Sequence, residues 1–208
     1  MKTSLFLTIF ALSCLDQEST PSTTKPSASE SSSTKPSSSK PSSSKPIIPT
    51  TIPNNTITNS KWYVGFSPNG KCTEYVSNLI LSAKKSVRML AYSFTSEEIS
   101  KALVDAGKKG IDVQIVLDRS DLTGKGSKVQ YVYDSGVVKV YIDSKHAIAH
   151  NKVIIVDSNI TELGSFNYTE SAQKSNAENC IFLENTDIAK EYETNWQLHM
   201  SHSTLFNK

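Results

Sequence analysis

The sequence predicts an α/β fold, a mostly parallel mixed sheet flanked by helices on both faces. Two observations carry that expectation. From Trp62 onward, short β-branched apolar runs alternate with stretches whose apolar residues recur at helical spacing, the order that builds parallel strands joined by crossover helices. Several of those runs are almost unbroken, as in Val153-Ile154-Ile155-Val156, which suits strands covered on both sides.

Trp62 to Phe66 reads as the first strand, ended by Pro68-Asn69-Gly70. Thr73 to Lys85 reads as a helix, with Tyr75, Val76, Leu79, Ile80 and Ala83 on one face. Val87 to Tyr92 is a strand. Ser96 followed by Glu97-Glu98 marks a helix start, because a hydroxyl cap and early acids satisfy the free amides and the helix dipole. That helix runs to Lys109 and stops at Gly110. Ile111 to Leu117 is the next strand. Ser127 to Asp134 is a helix stopped by Gly136, and Val137 to Ile142 a further strand. Lys152 to Val156, a short extended piece near Thr161, and Cys180 to Leu183 complete the strands. Thr186 to His199 closes the chain as a helix with Ile188, Tyr192, Trp196 and His199 on its inner side.

Only part of the 208 residues can build a core. Residues 17–59 are rich in Ser, Thr, Pro and Lys, with Lys-Pro-Ser-Ser-Ser recurring, the composition of a disordered, extended tether. Residues 60–208 are a normal size for one domain. Residues 1–16 hold an apolar run, Leu5 to Leu12, behind Lys2. The run is too short for a transmembrane span and fits a signal peptide or lipoprotein leader. The expectation is an exported protein, secreted or periplasmic. A lipidated Cys14 or an uncleaved leader would tether it to a membrane. In an exported chain Cys72 and Cys180 can form a disulfide or remain two buried thiols, and spacing does not choose between them.

The net charge is +2. Five lysines against three acids before residue 60 account for all of it, so the folded part is neutral. Global charge therefore does not mark a strong nucleic-acid binder, and any basic groove must be local, built from residues such as Lys125, Lys128 and Lys152. Asp112, Asp118 and Asp121 match no metal-ligand spacing and read as loop carboxylates. Gly124-Lys125-Gly126 lacks the rest of a phosphate loop. His146, His199 and His202 are candidates for a second catalytic base. Only His146 lies near the chemistry below, and it reads as a loop histidine.

The chemistry concentrates in one segment of the form H-x-K-x4-D-x6-G-S-x-N: His150, Lys152, Asp157, Gly164, Ser165 and Asn167. Side chains alternate along a strand, so His150 and Lys152 project to one side. A neutral imidazole there can attack phosphorus, and the lysine can hold a phosphate oxygen. Gly164 permits close backbone approach, and Ser165 and Asn167 lie two apart, so both can donate to phosphate. Asp157 has the opposite parity to Lys152, which suits an orienting or structural role better than a second nucleophile. Glu178, ahead of the strand Cys180 to Leu183, can hold the far nitrogen of an active-site histidine.

This segment resembles the signature of the phospholipase D superfamily. The likeness extends from Val64-Gly65-Phe66-Ser67-Pro68 through Ala91-Tyr92-Ser93-Phe94-Thr95 to Gly164-Ser165-Phe166-Asn167-Tyr168-Thr169, and is nearest to the small bacterial endonucleases that carry a single motif. The resemblance implies a phosphodiesterase with His150 as nucleophile and Lys152, Ser165, Asn167 and Gly164 around the phosphate. Asp157 and Glu178 complete the catalytic set. No cofactor or metal is implied, because lysines supply the charge a metal would bring. Two acid–base roles are needed and the motif occurs once, so a homodimer with a composite site is expected. The substrate is nucleic acid or a phospholipid. A low-specificity endonuclease is the first reading; hydrolysis of phosphatidyl headgroups, for example phosphatidylcholine to phosphatidic acid, is the second.

Overall fold

A computed structural model describes residues 60–207; the leader, the tether and Cys14 lie outside the described residues. The elements run β1 Lys61–Ser67, α1 Cys72–Ser82, β2 Ser86–Ala91, α2 Glu97–Lys108, β3 Asp112–Asp118, a 3-10 turn Arg119–Leu122, α3 Val129–Asp134 and β4 Val138–Asp143. Then come β5 Lys152–Val156, β6 Ile160–Gly164, α4 Glu170–Lys174, β7 Glu178–Glu184, α5 Thr186–His202 and β8 Thr204–Leu205. The cap at Ser96 is made as expected: its hydroxyl accepts the Ile99 amide at 3.3 Å. Gly110 and Gly136 sit past α2 and α3 with φ of 86° and 68°, the left-handed backbone that glycine adopts without a steric cost.

The strands form one sheet in the order β1-β7-β6-β5-β2-β3-β4-β8. Helices cover both of its faces. On one, α1, α2 and α3 bury Ile80, Leu103 and Val132 against Met89, Ile115, Val140 and Ile154. On the other, α5 lays Ala189 and Trp196 on Leu90, Val116, Val153 and Ile155. The Trp196 indole N–H donates to the Met89 carbonyl at 3.1 Å, so the largest side chain of that layer is buried without an unmet donor.

The expected preponderance of parallel pairing is corrected. Within this sheet only β2-β3 and β3-β4 are parallel. The pairs β1-β7, β6-β7, β5-β6, β2-β5 and β4-β8 are antiparallel. The reason lies in the connections. Parallel neighbours need a long crossover; α2 and α3 each provide one between adjacent strands, whereas α1 and α5 connect strands that are not neighbours. Between β5 and β6 the chain turns at Asp157 and Ser158, whose φ values are 55° and 52°. A turn that tight can join only antiparallel strands.

Cys72 at the start of α1 and Cys180 in β7 are bonded, with Cα atoms 6.2 Å apart across 108 residues of sequence. Gly65 of β1 makes room for the bridge, since a Cβ there would lie 2.8 Å from the Cys180 sulfur. Chain entropy assigns a cross-link over about 100 residues roughly 4–5 kcal/mol of stabilisation.

The registers place the C-terminal ends of β1, β2, β3, β4 and β6 and the N-terminal ends of β5 and β7 at one edge of the sheet. Open α/β sheets bind ligands at such an edge.

Candidate active site

Lys152 opens β5 and pairs with Ala91, the last residue of β2. It shares the face of Ile154 and Val156, and it is buried to 7% exposure. Its ammonium donates to the His150 carbonyl at 2.9 Å and stands 5.3 Å from the Tyr92 ring centre. The His150 imidazole is exposed and lies 4.6 Å from that same ring. Tyr92 is therefore a shared wall for both groups. In the sequence Tyr92 reads as the end of a strand, and a lone aromatic at a strand end carries no signal of such a role. Burial pushes the Lys152 ammonium below its usual range, while the Glu178 charge works the other way. A poorly solvated cation of this kind interacts strongly with an arriving phosphate.

β6 ends at Gly164, where a Cβ would sit 2.2 Å from the Asn179 carbonyl oxygen. Without a side chain at Gly164, the next two amides, Ser165 and Phe166, can both donate to that oxygen, at 3.1 and 3.3 Å. The Ser165 hydroxyl donates to Glu178 at 2.6 Å and accepts from the Asn179 amide at 3.1 Å. The other Glu178 oxygen takes a hydrogen bond from Asn176 at 3.0 Å. Within one chain the Glu178 carboxylate thus serves Ser165 and Asn176. The Asn167 side-chain oxygen is buried without a hydrogen-bond partner among the described residues, while its amide nitrogen is the group that can donate to a phosphate oxygen.

Asp157 is corrected from the catalytic set. It lies past the opposite end of β5, where its carboxylate accepts the amides of Lys84, Lys85 and Ser86 at 2.8, 2.7 and 2.9 Å. Burial pushes its carboxyl up, but those three amides outweigh burial and hold it below the usual range. Its role is to tie the turn before β2 to the turn after β5.

Two buried carboxylates missed by the sequence reading govern the segment that delivers His150, residues 144–151. Asp118, at the end of β3, accepts the Ala149 amide at 2.7 Å and the Ser120 amide at 2.9 Å. Asp143, at the end of β4, accepts the Lys145 amide at 2.9 Å and is ringed by His146, His199 and His202. The three histidines entertained as a second base thus face a carboxylate. Paired D-x2-H and H-x2-H spacings, Asp143 to His146 and His199 to His202, were the legible signal for that cluster. Nothing in sequence spacing marks Asp118.

Lys125 and Lys128 do line a groove, of about 800 Å³, together with Lys101 and Lys174 and with Glu97, Glu98 and Glu170. Lys152 and His150 are not in its wall. The groove adjoins the site through Thr95 and Ser96, whose amides donate to the carbonyl of Tyr168, the neighbour of Asn167.

A family model described as "cardiolipin synthase, PLD-like domain" matches residues 76–199. The chain belongs to the phospholipase D superfamily. The matched span contains every residue of the site from Tyr92 to Glu178, and it makes the chain a phosphodiesterase of that superfamily. A protein named phospholipase D from Rickettsia bellii is 41% identical over 140 residues, covering 67% of this chain and 69% of that one. The crystal structure of Nuc from Salmonella typhimurium, described as a phospholipase D family member, superposes with a TM-score of 0.68 at 40% identity, over 72% of this chain and 99% of Nuc. NucT from Helicobacter pylori gives 0.65 at 26% identity, over 71% and 99%. The phospholipase D-like domain here is therefore a single-motif unit that spans almost the whole of two small relatives.

Proposed function

We propose that this protein is a metal-independent endonuclease of low sequence preference, working as a homodimer through a phosphohistidine. The observation that carries it is the exposed His150 imidazole at the sheet edge, set against Tyr92, beside the buried Lys152 ammonium. A nitrogen of one His150 attacks phosphorus, forming an N–P bond as the bond to the leaving oxygen breaks. The second subunit's imidazole gives that oxygen a proton. It then takes a proton from water, whose oxygen displaces the first histidine from phosphorus. Lys152, Ser165 and Asn167 stabilise the added negative charge in both steps. One copy of the motif with an exposed His150 at the sheet edge is what a two-fold composite site needs.

The near-complete coverage of Nuc and NucT supports nucleic acid as substrate; the groove beside the site, with four lysines against three glutamates, adds little to it. The disulfide supports an oxidising compartment. With the leader it fits export, and the tether would hold the domain away from a membrane anchored at Cys14 or at the uncleaved leader. Phospholipid is the second reading. It is favoured by the name of the Rickettsia relative and by Ile148, 53% exposed two residues before His150.

The deciding experiment gives the full chain supercoiled plasmid in the presence of chelator and, separately, phosphatidylcholine vesicles, with its mass in solution measured alongside. Plasmid nicking by a dimer is the expected result. Headgroup release without nicking transfers the activity to lipid. A fully active monomer refutes the composite site.

A further inference from the structure

We propose that Asp143, His146, His199 and His202 form a structural zinc site that clamps the His150-bearing segment to the end of α5. Four ligand atoms, one from each side chain, lie within 4.8 Å of one another. The Asp143 Oδ2 atom is 3.0 Å from His146 Nδ1, 2.9 Å from His199 Nδ1 and 3.2 Å from His202 Nε2. Metal–ligand bonds of about 2.0–2.1 Å in a tetrahedron put neighbouring ligand atoms roughly 3.3 Å apart. The three carboxylate–imidazole edges are already close to that length, so only the imidazoles need to draw together.

The same cluster makes poor sense as hydrogen bonding alone. One carboxylate oxygen faces three imidazole nitrogens, more donors than its lone pairs can serve well. The second oxygen is already occupied by the Lys145 amide, the kind of outer contact that orients a metal ligand. Asp143 itself is fully buried, His199 and His202 are nearly so, and His146 is half exposed. A closed inner wall with one accessible ligand gives an ion a way in.

Three imidazoles and a carboxylate are borderline donors in a small tetrahedral set, which selects zinc among common divalent ions and excludes magnesium and calcium. All four positions come from protein, so no site remains for substrate or water, and the role is structural. The placement gives that role a purpose. Asp143 ends β4, His146 lies four residues before His150, and His199 and His202 occupy the last turns of α5. A bound ion would fix the start of the segment that presents the nucleophile, and the Asp118 bond to Ala149 holds its other end.

The test uses untagged full-length protein stripped with chelator and dialysed. Zinc is added back, and uptake is read by metal analysis together with the melting temperature. One zinc per chain and a melting temperature several degrees higher are expected. Cobalt in place of zinc should give the strong visible bands of tetrahedral coordination, with no thiolate charge-transfer band, because both described cysteines are in the disulfide. His146→Ala, at an exposed position, should weaken zinc binding by at least roughly 100-fold, whereas His150→Ala should leave it unchanged. Absence of stoichiometric uptake by the wild-type chain overturns the proposal. So does binding that survives in His146→Ala, or that disappears in His150→Ala, which would put the ion at the reactive edge. Plasmid nicking in chelator, well below the melting temperature, reads the hydrolytic mechanism separately.

Discussion

β5 is five residues long, and its two ends are built for opposite purposes. At one, Lys152 is buried with its ammonium bonded to a carbonyl and set against an aromatic ring, and His150 stands exposed beside it. At the other, Asp157 satisfies three amides with its carboxylate and adopts a left-handed turn. The separation is roughly 16 Å at 3.3 Å per residue. A motif that reads as one constellation in sequence is therefore two devices: a reactive group held short of satisfaction, and a fastener that is fully satisfied. Substitutions at the two ends should separate accordingly, one set in turnover and the other in stability.

The largest effect belongs to the reactive end. His150→Ala should lower phosphodiester turnover by at least about 10^4-fold with an unchanged melting temperature, since the ring is exposed. Single-turnover kinetics on plasmid checks the first half and calorimetry the second; residual hydrolysis within tenfold of wild type would remove His150 from the mechanism. Next comes Lys152→Met, which keeps apolar bulk beside Tyr92 but removes the charge. Turnover should fall by about 10^2–10^3-fold, the usual loss for one preorganised contact to a transition state. If only KM moved, the lysine would be a binding residue without preference for the transition state.

At the fastening end, Asp157→Ala should cost about 2 kcal/mol, from lost bonds to a charged acceptor and from strain at a positive φ. Turnover per folded molecule should stay within a few-fold of wild type. Asp157→Asn keeps the left-handed preference and one acceptor oxygen, so it should cost about half as much. The carboxyl is held below its usual range when folded. Its contribution is therefore present above the ordinary carboxylate range and is lost as pH falls through its folded value. Urea titrations of wild type and variant should converge in acid. A variant of normal stability but low activity would restore Asp157 to the catalytic set.

Much of this division was legible beforehand. The alternation at His150 and Lys152 and the parity of Asp157 follow from the strand period of two, and the segment Lys152 to Val156 is the strand that the apolar run marks. The helices at Ser96 and Thr186 announce themselves by capping residues and periodicity. What failed was pairing direction, because strand polarity depends on how far each connection reaches, and a turn such as Asp157-Ser158 counts for more than the helix content of the whole. The short α4 and β8 carry too few residues for periodicity to register. The D-x2-H spacing of Asp143 to His146 was there to be read, but Asp118 acts on a residue remote in sequence, Ala149, and Tyr92 on His150 and Lys152. Contacts of that kind leave no local pattern.

A last test, read in pH and not at a single condition, asks whether the strip between the two ends is as dry as its packing implies. Glu162, in the middle of β6, is fully buried and pairs with Ile154. Its one described hydrogen bond comes from the Tyr168 hydroxyl at 2.8 Å, and its other oxygen has no partner among the described residues. Burial drives its carboxyl up to about 8, against the lowering effect of the Tyr168 bond. For an acid whose folded value is raised, the stability it confers is complete below its unfolded value near 4.5 and declines as pH rises towards about 8. Wild type should therefore lose up to about 1.4 kcal/mol per pH unit across that window relative to Glu162→Gln, which keeps the shape and cannot ionise. Urea unfolding of both proteins at pH 5.5, 6.5 and 7.5, roughly one unit apart, isolates the residue, because every other group is common to both and cancels in the difference. Parallel pH profiles would mean that water or a cation reaches Glu162, and the reactive and fastening ends would then no longer be separated by a dry core.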